Sequence, residues 1–415
     1  MRYGALALGA LLGAGCLPSL AVAQVSPQTM LQGSTARTMN LSGSATAAYN
    51  SNVSRLNKSV APTTGVDAGD TTYTPSINAE IIQPVGQQTV FLTGNLSYRF
   101  HQNNKQLDSS RINLTAGGGG SVGPCGTVVT GHYSRARSDV DDLELDVTVL
   151  NIREHKEIGV AVACSRPTGI GVVFSGSRGW GENNLPQFQL SNSETTNLST
   201  GLSYGRPSLG SASVFVAYSK TEYPNRPTQT PGTSGFETRA AGLTYQRQLG
   251  GRIKATGSVS YSEAEPTGPL GLGAVGRPPG KFTGLTYSGS LSYRASGRLF
   301  LSSDVLRQIS PTILNTGTFE VQTKYGLSAT YSLGSRLKLQ AGGQRSEINL
   351  NGTPIAGSAP TLTDSRTTSL FGSLSYQQSK RVSLSLGVGT EKRDSDNPMF
   401  NYTNNKVSLS LNLTY

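Results

Sequence analysis

Charge is scarce in this chain. Of its 415 residues only 14% are Asp, Glu, Lys or Arg, and only 35% are hydrophobic. A water-soluble globule carries more of both, and a disordered chain carries more charge and fewer than the 17 Tyr present here. Beyond the first twenty-odd residues no apolar run approaches the ~20 residues that a membrane-spanning helix needs. Zinc-ligand spacing, a Gly-rich phosphate loop and a dinucleotide fingerprint are all missing, so no cofactor or metal is expected. The basic residues form no cluster of the kind that binds nucleic acid, and no nucleic-acid partner is expected.

What is present begins with an export signal. Arg2 supplies a positive start, Gly4–Leu20 is apolar and uncharged, and Ala21-Val22-Ala23 is a small-x-small cleavage site. Residues 1–23 are therefore read as a signal peptide, with a membrane anchor or a lipoprotein attached through Cys16 as the alternatives. Gly13, three residues before Cys16, stands where lipoprotein signals usually carry Leu. Residues 24–38 form a short polar tail, too short for a plug or a periplasmic binding domain.

From residue 39 to 415 the dominant signal is period two. In the last ten residues Val407, Leu409, Leu411, Leu413 and Tyr415 alternate with Lys406, Ser408, Ser410, Asn412 and Thr414. Successive side chains of a strand point to opposite faces, so one face of this strand is apolar and the other polar. Eighteen such segments recur. The breaks between them alternate between tight Gly/Pro/Ser turns, such as Gly123-Pro124, and longer polar stretches at 52–70, 181–191, 223–233, 263–280, 349–365 and 394–403. This alternation predicts a closed antiparallel transmembrane β-barrel of about 18 strands with short periplasmic turns, long extracellular loops and both termini in the periplasm. Tyrosines support it. Tyr204, Tyr245, Tyr293, Tyr331, Tyr376 and Tyr415 fall at one end of the strands, and Tyr49, Tyr98, Tyr218 and Tyr261 at the other, as two interfacial belts require. The last strand should pair with 39–51. A soluble β-solenoid or adhesin would need neither belts nor alternating loop lengths.

These features resemble the outer-membrane β-barrel porins found with bacterial exopolysaccharide synthesis and export systems. The resemblance covers 39–415 and rests on the export signal, the absence of a plug, the strand count and the Leu202-Ser203-Tyr204, Leu291-Ser292-Tyr293 and Leu374-Ser375-Tyr376 strand ends. It implies a polysaccharide conduit, with polysaccharide and periplasmic export components as partners. A general or solute-specific diffusion porin and a surface adhesin or structural barrel remain as alternatives. The final strand, Val407 to Tyr415, is similar to the signal read by the barrel-assembly machinery, with Tyr415 where that signal more often ends in Phe.

The period also lists the charged lumen face: Arg99, Arg111, Arg252, Lys254, Arg294, Asp304, Glu320, Lys324, Lys338, Arg381, Glu391 and Lys406, nine basic and three acidic. Rings of basic side chains favour anions in a pore, whereas ordinary solvation and cross-strand pairing would leave no selectivity. The formal charge of +11, or +10 without Arg2, points the same way and to lipopolysaccharide and other outer-membrane lipids as neighbours. Cys125 and Cys164 sit at the same rim of adjacent strands, and an oxidising periplasm would join them; a register off by one residue would leave two thiols. Five carboxylates in Asp139–Asp146 read as a solvated loop rather than a calcium site, because their spacing fits no defined calcium loop. Gly117–Gly120 reads as a bend or close approach within a strand. His132-Tyr133-Ser134 resembles the His-x-Ser of outer-membrane phospholipase and lipid A deacylase barrels, which carry Asn next. Here Arg135 follows, and the expectation is a non-enzyme.

Overall fold

The computed structural model describes residues 37–57, 65–137, 151–164, 168–206, 208–226, 234–267, 280–312, 318–351 and 364–415. The signal peptide, most of the polar tail and the acidic loop Asp139–Asp146 lie outside these residues. Eighteen antiparallel strands follow one another: β1 (Thr38–Asn50), β2 (Asp70–Val85), β3 (Gln88–His101), β4 (Ser109–Val122), β5 (Cys125–Arg137), β6 (Ile152–Cys164), β7 (Gly169–Asn183), β8 (Ser193–Arg206), β9 (Gly210–Tyr223), β10 (Ser234–Leu249), β11 (Ile253–Thr267), β12 (Phe282–Arg294), β13 (Leu299–Pro311), β14 (Phe319–Leu333), β15 (Leu337–Asn351), β16 (Asp364–Gln377), β17 (Val382–Ser395) and β18 (Tyr402–Thr414). Each pairs with its neighbour in sequence, and β1 pairs with β18 from Ser42↔Thr414 to Asn50↔Lys406, which closes the barrel. Closure leaves no free sheet edge at the seam.

The alternation sets the two faces. On β18, Val407, Leu409, Leu411 and Leu413 are exposed, and on β3 so are Val90, Leu92, Leu96 and Tyr98. Their polar neighbours point into the lumen and bond to one another between adjacent strands along its wall, as in Ser44–Ser76 (2.6 Å), Asn95–Asn78 (2.6 Å) and Ser302–Ser328 (2.7 Å). Apolar side chains therefore form the outer surface, and the lumen wall is lined by hydroxyls and amides. That is the inverse of a soluble barrel, whose apolar face turns inward.

One end of the barrel is closed by tight turns and carries both Thr38 and Tyr415, whose N–H donates to the Leu41 carbonyl at 2.9 Å. Gly86 opens the β2–β3 turn at φ 63° and Gly123 the β4–β5 turn at φ 60°, a conformation that side-chain-bearing residues rarely adopt. Gly117 answers to a close approach. A Cβ there would meet the Phe91 ring at 2.7 Å and the Val129 carbonyl oxygen at 2.5 Å, so the glycine lets the lumen-facing Phe91 lie against the wall. Cys125 and Cys164 are joined at this same end, with Cα atoms 4.0 Å apart and Gly126↔Ala163 as the adjacent pair.

The other end departs from the sequence expectations. β7 runs to Asn183, β11 to Thr267 and β15 to Asn351, so the strands run three to five residues into the expected loops at 181–191, 263–280 and 349–365. The reason is the outward face beyond the tyrosine belt. There the strands carry paired charges instead of apolar residues, including Lys156–Glu182 (3.1 Å), Arg178–Glu194 (2.9 Å) and Lys281–Glu265 (2.5 Å). Charge ended the apolar alternation in the sequence without ending the hydrogen-bonded ladder.

Candidate functional site

A polar lumen needs a narrow zone to discriminate among solutes, and the long-loop end builds one from β13 and β14. These two strands pair as far as Pro311↔Phe319, and β11 pairs with β12 as far as Ala264↔Phe282. Yet the β12–β13 ladder ends at Tyr287↔Arg307. Beyond that point the β13–β14 hairpin leaves the wall and turns inward. Ile309, Val321 and Phe319 occupy the parity that faces outward lower down (Val305, Tyr325), but here they are buried against Tyr223, Phe236, Ala264 and Phe282. Those four belong to the lumen face of β9–β12. The Tyr223 hydroxyl donates to the Thr318 carbonyl at 2.7 Å, and the Phe236 and Phe319 rings lie 5.4 Å apart. A seat of this size, with several side chains removed from water, is held by the hydrophobic effect.

Under the hairpin lies a small cleft. Ile309 and Pro311 of the hairpin and Phe236 close one side. The lumen face of β6–β10 forms the other, with Arg153, His155, Glu157, Thr195, Asn197, Thr221 and Thr238. A ring-to-ring contact of 6.1 Å links His155 to His132, whose Nδ1 meets Thr115 Oγ1 at 3.0 Å. Ser134 lies opposite His155 and is buried. His132 and Ser134 thus share the lumen face, away from the apolar outer surface where a membrane lipid would lie.

A second inward element narrows the same end. The segment 51–57 buries Leu56 against Phe400, with Leu350 and Met399 beside them. Asn52 holds it in shape, accepting from Ser54 Oγ (2.8 Å) and the Arg55 N–H (3.0 Å) and donating to the Leu56 carbonyl (2.9 Å). Arg55 has φ 54°, the left-handed region, and its guanidinium reaches Glu391 at 3.4 Å. Glu391 also accepts from the Tyr402 hydroxyl at 2.6 Å. Outside the hairpin, Arg226 stacks on Tyr223 at 3.8 Å and donates to the Leu190 carbonyl, tying two loops to the rim.

The sequence-derived lumen residues are distributed over the whole wall. Arg99, Arg111, Lys254, Lys324, Lys338, Glu391 and Lys406 have the parity opposite to the exposed apolar residues of their strands, and Asp304 has the parity opposite to the outward Val305 and shared with Phe300. Arg294 ends β12 with the same parity, and Arg252 precedes β11 in the short turn. Glu320 belongs to the inward hairpin, opposite Ser310. Arg381 stands at the short-turn rim with its guanidinium over the Tyr415 ring at 6.0 Å. Asp304 lies against the wall because its neighbour is Gly326, where a Cβ would collide with the carboxylate.

The period-two reading passed over Arg153, His155 and Glu157, and with them the whole seat of the hairpin. The signal for the seat was present: Ile309, Val321 and Phe319 resume an apolar face beyond Tyr325, where neighbouring strands carry charge.

No family model matches the chain, and no curated protein matches it. Solved structures do. OccK2 (OpdF) of Pseudomonas aeruginosa aligns with 91% of this chain and 98% of its own at 13% identity and a TM-score of 0.46. A BenF-like porin from Pseudomonas fluorescens Pf-5 aligns over 91% and 99% at 11% identity and a TM-score of 0.47. The outer membrane protein OpdK of Pseudomonas aeruginosa aligns over 91% and 99% at 12% identity and a TM-score of 0.44. The likeness is one of barrel architecture, and at these values it assigns no solute to this chain.

Proposed function

We propose that this chain is an integral outer-membrane porin through which small solutes diffuse, with anions favoured. The observation that carries the reading is a closed 18-stranded barrel whose polar lumen wall bears a surplus of Lys and Arg and whose long-loop mouth is narrowed by the seated β13–β14 hairpin. A barrel of ~16–18 strands leaves an aqueous channel unless segments fold into it. Its exposed apolar outer band, bordered by tyrosines at both ends, suits a bilayer. The short-turn end, with both termini, belongs in the periplasm, and the long loops face outward. The apolar face of β18 ending at Tyr415 serves as the signal to the barrel-assembly machinery.

The expected export of exopolysaccharide gives way to solute diffusion here on physical grounds. A polymer moving through the mouth would need the hairpin to leave a seat made of Phe236, Ile309, Phe319 and Val321, whereas a small solute passes beside it. Electrical recording across a planar bilayer tests the reading. The purified barrel should give discrete steps and a reversal potential of anion sign in a salt gradient. Replacing Lys254, Arg294 and Lys338 together by Glu should move that potential toward cations. Cation preference of the unaltered barrel, or no steps at all, would overturn it.

A further inference from the structure

β12 and β13 part before either strand ends. The last pair of their ladder is Tyr287↔Arg307, yet β12 stays on β11 as far as Phe282 and β13 stays on β14 as far as Pro311. Beyond the parting the two edges overlap instead of meeting. The face of β13 that is outward lower down lies against the lumen face of β10–β12, so the wall is lapped there and the apolar seat fills the lap. A lapped wall has a seam between the lumen and the outer surface. A solute that travels along the barrel axis makes no use of it.

Arg307 stands in this lap. It has the parity of the outward Val305, and its guanidinium lies over the ring of Phe282, on the lumen face of β12, at 5.8 Å. The Tyr287 hydroxyl is beside it. Nε is buried with no hydrogen-bond partner, and among the described residues no carboxylate pairs with the group. A cation withdrawn from water without a counter-ion is destabilising, and an arriving anion relieves it. The outward lip of the seam is apolar. Leu285 is exposed there and pairs with Tyr261 of the upper tyrosine belt, and the Tyr287 and Tyr325 hydroxyls meet at 3.1 Å. The lip thus stands where hydrocarbon gives way to headgroups.

We infer that the seam between β12 and β13 is a lateral binding site and passage for a single-chain amphiphile with a carboxylate head, of the long-chain fatty-acid type, exchanging there between the bilayer and the lumen. The carboxylate pairs with the Arg307 guanidinium, whose planar fork suits it. The chain lies between the lapped faces, along Phe282, Ile309 and Phe319. Two features select this class. An inorganic anion satisfies Arg307 but gains nothing from an apolar seam. A two-chain phospholipid is too broad, because stacked sheets stand ~10 Å apart and side chains from both faces already share that space. The carboxylate of a single-chain acid in a bilayer also lies at the interfacial level that the tyrosines mark.

The site requires insertion of the barrel in a bilayer but not anion-favoured conduction. The full barrel is reconstituted into phosphatidylcholine vesicles at alkaline pH with palmitate carrying a diazirine at its chain end, or with the methyl ester of the same probe. After irradiation, adducts are located by peptide mass spectrometry. Palmitate should label the buried Ile309 or Phe319, and the ester should label them roughly tenfold less, the loss of one charge-assisted contact. Arg307→Met should lower the palmitate label to the level of the ester, and Arg307→Lys should keep most of it. If Arg307→Met fails to give the compact, heat-modifiable band, the acid and ester on the unaltered barrel decide. Adducts confined to the outward Leu285, Val305 and Leu327, or equal labelling by acid and ester, overturn the seam site. Displacement of the label by excess acetate reveals a simple anion site and overturns it too. A barrel that is labelled in the seam but gives no conductance steps overturns the porin reading instead.

Discussion

Beyond the upper tyrosines, two pairs of neighbouring strands take opposite courses. On β10 and β11, Tyr261 is followed on the outward face by Glu263 and Glu265, which stand beside Arg239 and Glu237, and the pair stays in the wall to Gly235↔Thr267. On β13 and β14, Val305 and Tyr325 are followed by Ile309, Val321 and Phe319, and the pair leaves the wall to bury them. Both pairs keep their ladder. Backbone hydrogen bonding therefore does not choose between the courses. The choice comes from what the outward side chains require once the apolar surroundings of the band end: charge is content in water, and three apolar residues are not.

Removing the reason for burial should have the largest effect. Phe319→Ala deletes a fully buried ring from the seat, at a cost of about 3–5 kcal/mol to the seated hairpin. Single-channel recording should show a larger and noisier open level, with the heat-modifiable band of the folded barrel preserved. An unchanged conductance would mean that the hairpin does not narrow the path. A smaller effect is expected in the part of the barrel that obeys period two throughout. Leu409→Arg places charge on the lipid face and should cost about 2–4 kcal/mol near the middle of the bilayer. Ser408→Arg, one residue away on the lumen face, should leave the melting temperature nearly unaltered. Equal losses would contradict the assignment of faces. The smallest effect belongs to the charged pair. Glu263→Leu with Glu265→Leu removes exposed partners of Lys281 and should leave stability nearly unaltered. Chemical denaturation of the refolded barrel checks it, and a clear loss would show that ion pairs rather than the β10–β11 ladder hold that edge in the wall.

The same contrast explains how far the sequence could be read. Strand number, faces, the Val407–Tyr415 outer stripe, closure onto 39–51 and the Cys125–Cys164 pairing all follow from alternation, turn chemistry and order along the chain. Each is local or set by the neighbour in sequence. Alternation failed as a guide to strand length, because Glu182, Glu263 and Glu265 look like loop residues until it is seen that a strand beyond the band has no reason to remain apolar. It failed again at the mouth. The cleft lined by Arg153, His155 and Glu157 joins β6–β10 to Ile309 and Pro311, residues far apart in the chain.

The sequence by itself thus determined a barrel and which face of each strand meets lipid, since period two admits only one assignment of an apolar stripe. Only the tertiary structure decided where the wall opens between β12 and β13 and what the hairpin packs against. That decision depends on Tyr223, Phe236, Ala264 and Phe282 presenting an apolar surface inside an otherwise polar lumen, on strands whose alternation marks only the outward face as apolar.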